Sequence, residues 1–333
     1  MVSSENKIKV NLFDVLASHS VVSDGFYTFT PLVEPAEIEY HAMMPPDTMD
    51  QLNAVARNEG PAGADDAGAH SVAIQIASGP DPEYYLTPHA VSVYTDRTFG
   101  QPAFANRDTS GTKVAWILEC HEVHPHNRIN AIQTEDVYDY IFTFDEELLA
   151  RGPKYIENLI GTSRIIDSRS KLYKKTKNIS LIASKQNWCS GHQLRHKIVE
   201  ECHSSVQIDL WGSAYKPFPM GAKVLPLAEY RFSIVVENSQ GAKYFTEKII
   251  DCFRTGTIPI YWGCPNIDKY FDIDGIICFE TIEQLNSILP ALNQEEYDRR
   301  FESVKKNFKL AKQWTSMDDT FARNLKRVVE NHE

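Results

Sequence analysis

The stretch FSIVVENSQGAKYFTEKIIDCFRTGTIPIYWG, residues 232–263, carries polar side chains whose types and spacing could hold an anionic, hydroxyl-rich ligand. Glu237 and Asn238 follow an apolar run that reads as a strand over 232–236. A carboxylate beside an amide offers several directed hydrogen bonds to a sugar or a ribose. Tyr244, Glu247 and Lys248 follow at spacings of three and four, which puts them on one face of a helical turn. Phe245, Ile249, Ile250 and Phe253 form the apolar stripe on another face, so the polar trio looks outward over the helix N-terminus. Free N–H groups and the positive end of the helix dipole favour an anion there, and Lys248 adds a full charge. A solvated first turn is the plainer reading of Glu247 and Lys248. Against it stands Glu237, because a carboxylate that ends an apolar strand is costly without a partner or a task. The implied ligand is a nucleoside diphosphate carrying a sugar.

The elements that must position these groups alternate. In the second half, strands are expected at 179–184, 206–211, 232–236, 258–262 and 275–279, and helices from Ser190 and over 245–255, 281–289, 295–313 and 318–331. Gly256 ends the helix 245–255. This alternation predicts a parallel, Rossmann-like sheet, with ligands at the carboxyl ends of its strands. Arg195 lies about a turn and a half into the helix after the strand 179–184, and its planar guanidinium suits two phosphate oxygens. Alone it reads as a surface arginine; its interest lies in sharing a sheet edge with Lys248. In the first half, strands are expected at 9–15, 37–41, 71–76, 90–94, 114–119 and 140–144, with helices at 45–57 and 153–162. Loops are expected at 59–68 and 95–112. The lysine-rich segment 171–178 reads as a linker, so the domains divide as 1–170 and 171–333, with the last helix able to pack back on the first.

Composition bounds the function. The 333 residues suffice for two domains, and 42% hydrophobic with 24% charged residues is globular. A net charge of -11 argues against nucleic acid and anionic membrane as partners, though not against a phosphate met by a few focused cations. Cys120, Cys189, Cys202, Cys252, Cys264 and Cys278 are scattered without a CxxC pair, which favours reduced thiols and a cytoplasmic location. The N-terminus shows no signal-peptide pattern, and no apolar run is long enough for a membrane anchor. The absence of a GxGxxG after a strand disfavours a nicotinamide-dependent dehydrogenase.

Residues 232–270 resemble the donor-binding segment of the α1,3-fucosyltransferases, especially the bacterial members. The pattern is Glu237-Asn238-Ser239, then Tyr244-Phe245-Thr246-Glu247-Lys248, then Gly256-Thr257-Ile258-Pro259-Ile260-Tyr261-Trp262-Gly263. Weaker similarity runs back to Ser184, Arg195 and the turn 209–212. The resemblance implies an α/β, GT-B-like fold, with two Rossmann-like domains whose parallel sheets face a central cleft. It implies an inverting transfer of L-fucose from GDP-fucose to a sugar hydroxyl of an oligosaccharide acceptor. Arg195 and Lys248 would neutralise the diphosphate, and Glu237, Asn238, Tyr244 and Glu247 would line the ribose and fucose. An inverting transferase with another nucleotide sugar, and a non-catalytic nucleotide-sugar binder, are the alternatives.

A transferase acting on a sugar hydroxyl also needs a base. Glu119 ends the apolar strand expected at 114–119, a position that raises a carboxyl toward neutrality, and Glu122 follows in the loop as the alternative. The resemblance places its base on a Glu before a Pro in such a loop, followed by a motif read here as Asp139-Tyr140-Ile141-Phe142-Thr143-Phe144-Asp145. His121, His124 and His126 show no HExxH spacing, so no metal is expected; His124 and His126 could donate to acceptor hydroxyls, beside the plainer reading of ordinary loop histidines. No cofactor is required, since the two cations can carry the charge on the leaving diphosphate. The oligomeric state is left open.

Overall fold

The computed structural model describes residues 8–13, 21–23, 26–28, 38–43, 91–96, 99, 112–202, 206–219 and 221–330. Contacts divide the chain into two compact units, Met1–Asn158 with Asp318–Glu333, and Leu159–Met317. Residues 159–170 thus group with the second unit rather than the first.

The first unit holds β1 (Ile8–Phe13), β2 (Val21–Ser23), β3 (Phe26–Thr28), β4 (Ile38–Met43), β5 (Val91–Thr95), β6 (Thr112–Trp116), β7 (Tyr140–Thr143) and β8 (Tyr155–Glu157). Six of them form one sheet in the order β4-β1-β5-β6-β7-β8, every pair parallel. Parallel strands are covered on both faces and so read as unbroken apolar runs. Val114, Ala115 and Trp116 of β6 and Ile141, Phe142 and Thr143 of β7 are all buried. The helix Met317–Glu330 lays Phe321 flat on Trp116, ring centroids 4.0 Å apart, and edge-on to Phe142 at 5.0 Å.

Two expectations for this half change, and one element is new. β6 ends at Trp116, so Glu119 stands in the following loop and not on the strand. The helix expected at 153–162 is instead the strand β8, because Tyr155 and Ile156 favour extended backbone and find hydrogen-bonded partners in β7. A short helix at Asn127–Gln133 went unforeseen. The helix expected at 45–57, the strand at 71–76 and the loop at 59–68 lie outside the described residues.

The second unit holds β9 (Lys177–Ile182), β10 (Asp209–Trp211), β11 (Tyr230–Val236), β12 (Ile258–Trp262) and β13 (Ile277–Cys278). Their order is β10-β9-β11-β12-β13, again all parallel. The helix Ser190–Cys202 follows β9, and the helix Glu247–Thr255 follows β11. Thr246 caps the latter through its Oγ1, which accepts from Lys248 N, and Gly256 closes it at φ 73°. The expected helix 295–313 breaks at Arg300 into Gln294–Arg299 and Phe301–Leu310, where Arg300 leaves helical geometry at ψ 0°. The segment expected as a linker is a fastening within this unit. Lys175 is buried, and its Nζ donates to Ala228 O (3.0 Å), Thr255 O (2.9 Å) and Thr257 Oγ1 (2.9 Å). Burial pushes that ammonium down to about 7. None of the six cysteines forms a disulfide, and among the described residues no helix is long and apolar enough to cross a membrane.

Candidate functional site

Glu237 is the hinge of the site. β11 runs apolar to Val236, and the next residue is a fully buried carboxylate. Its Oε1 accepts from Thr246 N at 3.0 Å, and its Oε2 accepts from Thr246 Oγ1 at 2.7 Å. Lys248 Nζ stands 3.4 Å from the same Oε2. The carboxylate is therefore satisfied by the N-terminus it supports, which removes the desolvation cost that marked it out. Glycines make room around it. A Cβ built on Gly191 would lie 1.8 Å from the Glu237 carbonyl oxygen, and one on Gly263 would lie 2.6 Å from Glu237 Cγ. Gly191→Ala is thus expected to destabilise the chain by roughly 1–3 kcal/mol through overpacking, read as a shifted urea midpoint.

A pocket of about 270 Å³ opens in this unit beside the carboxyl ends of β9 and β11. Arg195, Asn238, Glu247 and Lys248 all line it, so three separate segments bring their expected polar groups together. Arg195 is 6% exposed and held by Nε and Nη2, which both donate to the Val236 carbonyl, Nε at 3.1 Å; Nη2 also donates to Asn238 Oδ1 at 3.1 Å. Burial draws its pKa down, opposed by Glu237 and other anions. Glu247 is lowered well below the usual carboxylate range: burial alone would raise it, but Lys248, Lys223 and Arg164 outweigh that.

Glu237 and Tyr244, expected on the ligand, do not line the pocket. They are 0% and 1% exposed, because the strand end and the cap that follow them fold inward. Their place is behind the surface that Asn238, Glu247 and Lys248 present. Sequence reasoning missed Lys223, His192 and Gln186, which share the lining with Ser184. His192 precedes Arg195 by one helical turn, and that spacing was the available signal. Lys223 lies in irregular turns between β10 and β11, where no periodicity marks it.

In the first unit, Glu119 is half-buried in the loop after β6. That loop is organised by Asp96, whose Oδ1 accepts from Leu118 N (2.9 Å), Glu119 N (3.4 Å) and Asn127 Nδ2 (2.7 Å). Glu122 and His124 are half-buried in the same loop, and His126 is exposed at the start of the helix Asn127–Gln133. Among the described residues no three His, Cys, Asp or Glu side chains gather as a metal ion would need.

Residues 172–331 match the family described as Glycosyltransferase family 10 (fucosyltransferase) C-term. Among curated relatives, the chain is 52% identical over 46 residues to alpha-(1,3)-fucosyltransferase FucT of Helicobacter pylori, covering 14% of this chain and 10% of that protein. It is 28% identical over 147 residues to 4-galactosyl-N-acetylglucosaminide 3-alpha-L-fucosyltransferase 9 of Mus musculus, covering 44% of this chain and 39% of that protein. The matches thus span less than half the length of either relative. Among solved structures, Anabaena HepE in complex with UDP superposes with a TM-score of 0.54 at 9% identity, covering 97% of this chain and 99% of that one. At such identity the likeness speaks for the fold, which is GT-B.

Proposed function

We propose, from the match of residues 172–331 to glycosyltransferase family 10, that this chain is an inverting fucosyltransferase. It takes L-fucose from GDP-fucose and places it on a sugar hydroxyl of an oligosaccharide acceptor, in α1,3 linkage. The observation that carries the reading is the convergence of Arg195 and Lys248 on one pocket, with Asn238 and Glu247 beside them.

The roles follow from the chemistry. Arg195 and Lys248 bind the diphosphate and stabilise the charge that grows on it as it leaves. Asn238 donates through its amide and Glu247 accepts through its carboxylate at donor hydroxyls, while Glu237 and Tyr244 act from behind by shaping the helix N-terminus. The acceptor oxygen attacks the anomeric carbon from the face opposite the phosphate. The bond to phosphate breaks as the new glycosidic bond forms, so configuration inverts in one step. The hydroxyl proton passes to a carboxylate, which we assign to Glu119 with Glu122 as the alternative. His124 and His126 are the donors we assign to acceptor hydroxyls. Nothing in these roles requires a cofactor.

The test is calorimetry with GDP, followed by mass spectrometry of N-acetyllactosamine-type and simple hexose acceptors incubated with GDP-fucose and other nucleotide sugars, with and without EDTA. The expected result is GDP binding and a deoxyhexose mass increment from GDP-fucose alone, insensitive to EDTA. Transfer from a different nucleotide sugar would replace the donor, and binding without transfer to any acceptor would favour a non-catalytic binder.

A further inference from the structure

Lys223 sits in the pocket wall with its side chain 16% exposed, supplied by turns that carry no regular element. Its ammonium stands 3.0 Å from Asp251 Oδ2 and 3.4 Å from Glu247 Oε1. Glu247 and Asp251 are one turn apart on the helix Glu247–Thr255, where like charges repel. Asp251 is fully buried and already engaged on its far side, where Oδ1 accepts from Ser163 Oγ (2.7 Å) and Arg164 N (2.8 Å). Lys248 approaches the same Glu247 oxygen, Oε1, at 3.7 Å.

The arrangement divides the cations. Glu237, Glu247 and Asp251 face Arg195, Lys223 and Lys248, with Arg164 as a further cation acting on Glu247. If Glu247 depended on Lys248 for its counter-charge, a bound diphosphate and Glu247 would compete for one ammonium. Lys223 removes that conflict, because it is the nearer cation to Oε1 and is itself anchored by Asp251.

We propose that Lys223 is a positioning residue: it clamps the Glu247 carboxylate through Oε1, turned to the pocket as an acceptor for donor-sugar hydroxyls, and so leaves Lys248 to the diphosphate. The inference rests on the function proposed above and deepens it. Lys223 acts on the sugar half of the donor through Glu247, and not on the phosphates. The groups facing Glu247 are Lys248, Lys223, Arg164 and Arg195 as cations and Asp251 and Glu237 as anions. Burial opposes the Lys223 charge, but Asp251 and Glu247 more than restore it, which agrees with an ammonium that stays charged.

The experiment compares wild type, Lys223→Met, Glu247→Gln and Lys223→Arg. Calorimetry measures GDP and GDP-fucose separately, and carboxyl ¹³C NMR follows the titration of Glu247 without ligand. Lys223→Met is expected to weaken GDP-fucose by about tenfold or more, as Glu247→Gln does, while GDP changes by less than about threefold. A variant combining Lys223→Met with Glu247→Gln should lose no more than either single one. The Glu247 carboxyl should protonate at higher pH in Lys223→Met than in wild type, and Lys223→Arg should restore both readouts. Equal loss of GDP and GDP-fucose would overturn the proposal by making Lys223 a phosphate ligand. An unmoved Glu247 titration would overturn it as well. Should Lys223→Met not fold, Lys223→Arg still decides, since a clamp must keep wild-type donor discrimination when the charge is kept. A wild type that binds no GDP would sink the function instead, and the NMR titration would then still judge the clamp.

Discussion

Lys248→Ala is expected to lower GDP affinity by about 10- to 150-fold, the loss of one charge-assisted contact worth roughly 1.5–3 kcal/mol. The variant should still fold. Glu237 keeps both donors from Thr246, at 3.0 and 2.7 Å, so no buried carboxylate is stranded. The helix keeps its Thr246 cap, because that bond uses the backbone N–H of residue 248, which alanine retains. What changes is charge: Glu237 and Glu247 both lose the Lys248 ammonium, 3.4 and 3.7 Å away, and a diphosphate would enter a more negative site. The remaining attraction rests on Arg195, so GDP binding in the variant should also depend less steeply on salt. Calorimetry at two ionic strengths reads both effects. Unchanged GDP affinity with an intact far-ultraviolet circular dichroism spectrum would remove Lys248 from the diphosphate.

The contrast between what could and could not be read from the chain follows from how local each signal is. The strand–helix–strand unit around 232–262 was legible because its apolar runs, the Thr246 cap and the Gly256 stop act within a few residues of sequence. Arg195 and Lys248 followed from it, since the carboxyl ends of neighbouring parallel strands share an edge. Glu237 stands out in the sequence for the cost of a carboxylate at an apolar strand end, and that cost is met within the unit by Thr246 and Lys248. Whether such a side chain turns inward depends on the space left by Gly191 and Gly263 from other segments. Lys223 was invisible because its meaning is wholly tertiary: an irregular turn carries it onto Glu247 and Asp251. The segment 153–162 misled because a strand as short as Tyr155–Glu157 has too few residues for its period to be heard over a proline and a glycine. Lys175 misled in the opposite way: a cluster of lysines reads as solvated, yet this one is caged by backbone oxygens.

Glu119→Gln is expected to reduce turnover by about 10²- to 10⁴-fold, the usual contribution of a positioned general base. The substitution is nearly isosteric and removes the negative charge together with the capacity to accept a proton. The loop should hold its shape, because Asp96 grips it through the backbone amides of Leu118 and Glu119 and through Asn127, none of which the exchange touches. GDP affinity should stay within about threefold of wild type, since the cations assigned to the diphosphate, Arg195 and Lys248, belong to the other unit. A fall in turnover at constant donor binding distinguishes a base from a binding group. Glu122→Gln is the matched control, a carboxylate of the same loop with the same isosteric change. If it abolishes turnover while Glu119→Gln does not, the base is Glu122. If neither variant slows transfer from GDP-fucose, the proton leaves by another route, and the assignment of a base to this loop fails while the donor pocket stands.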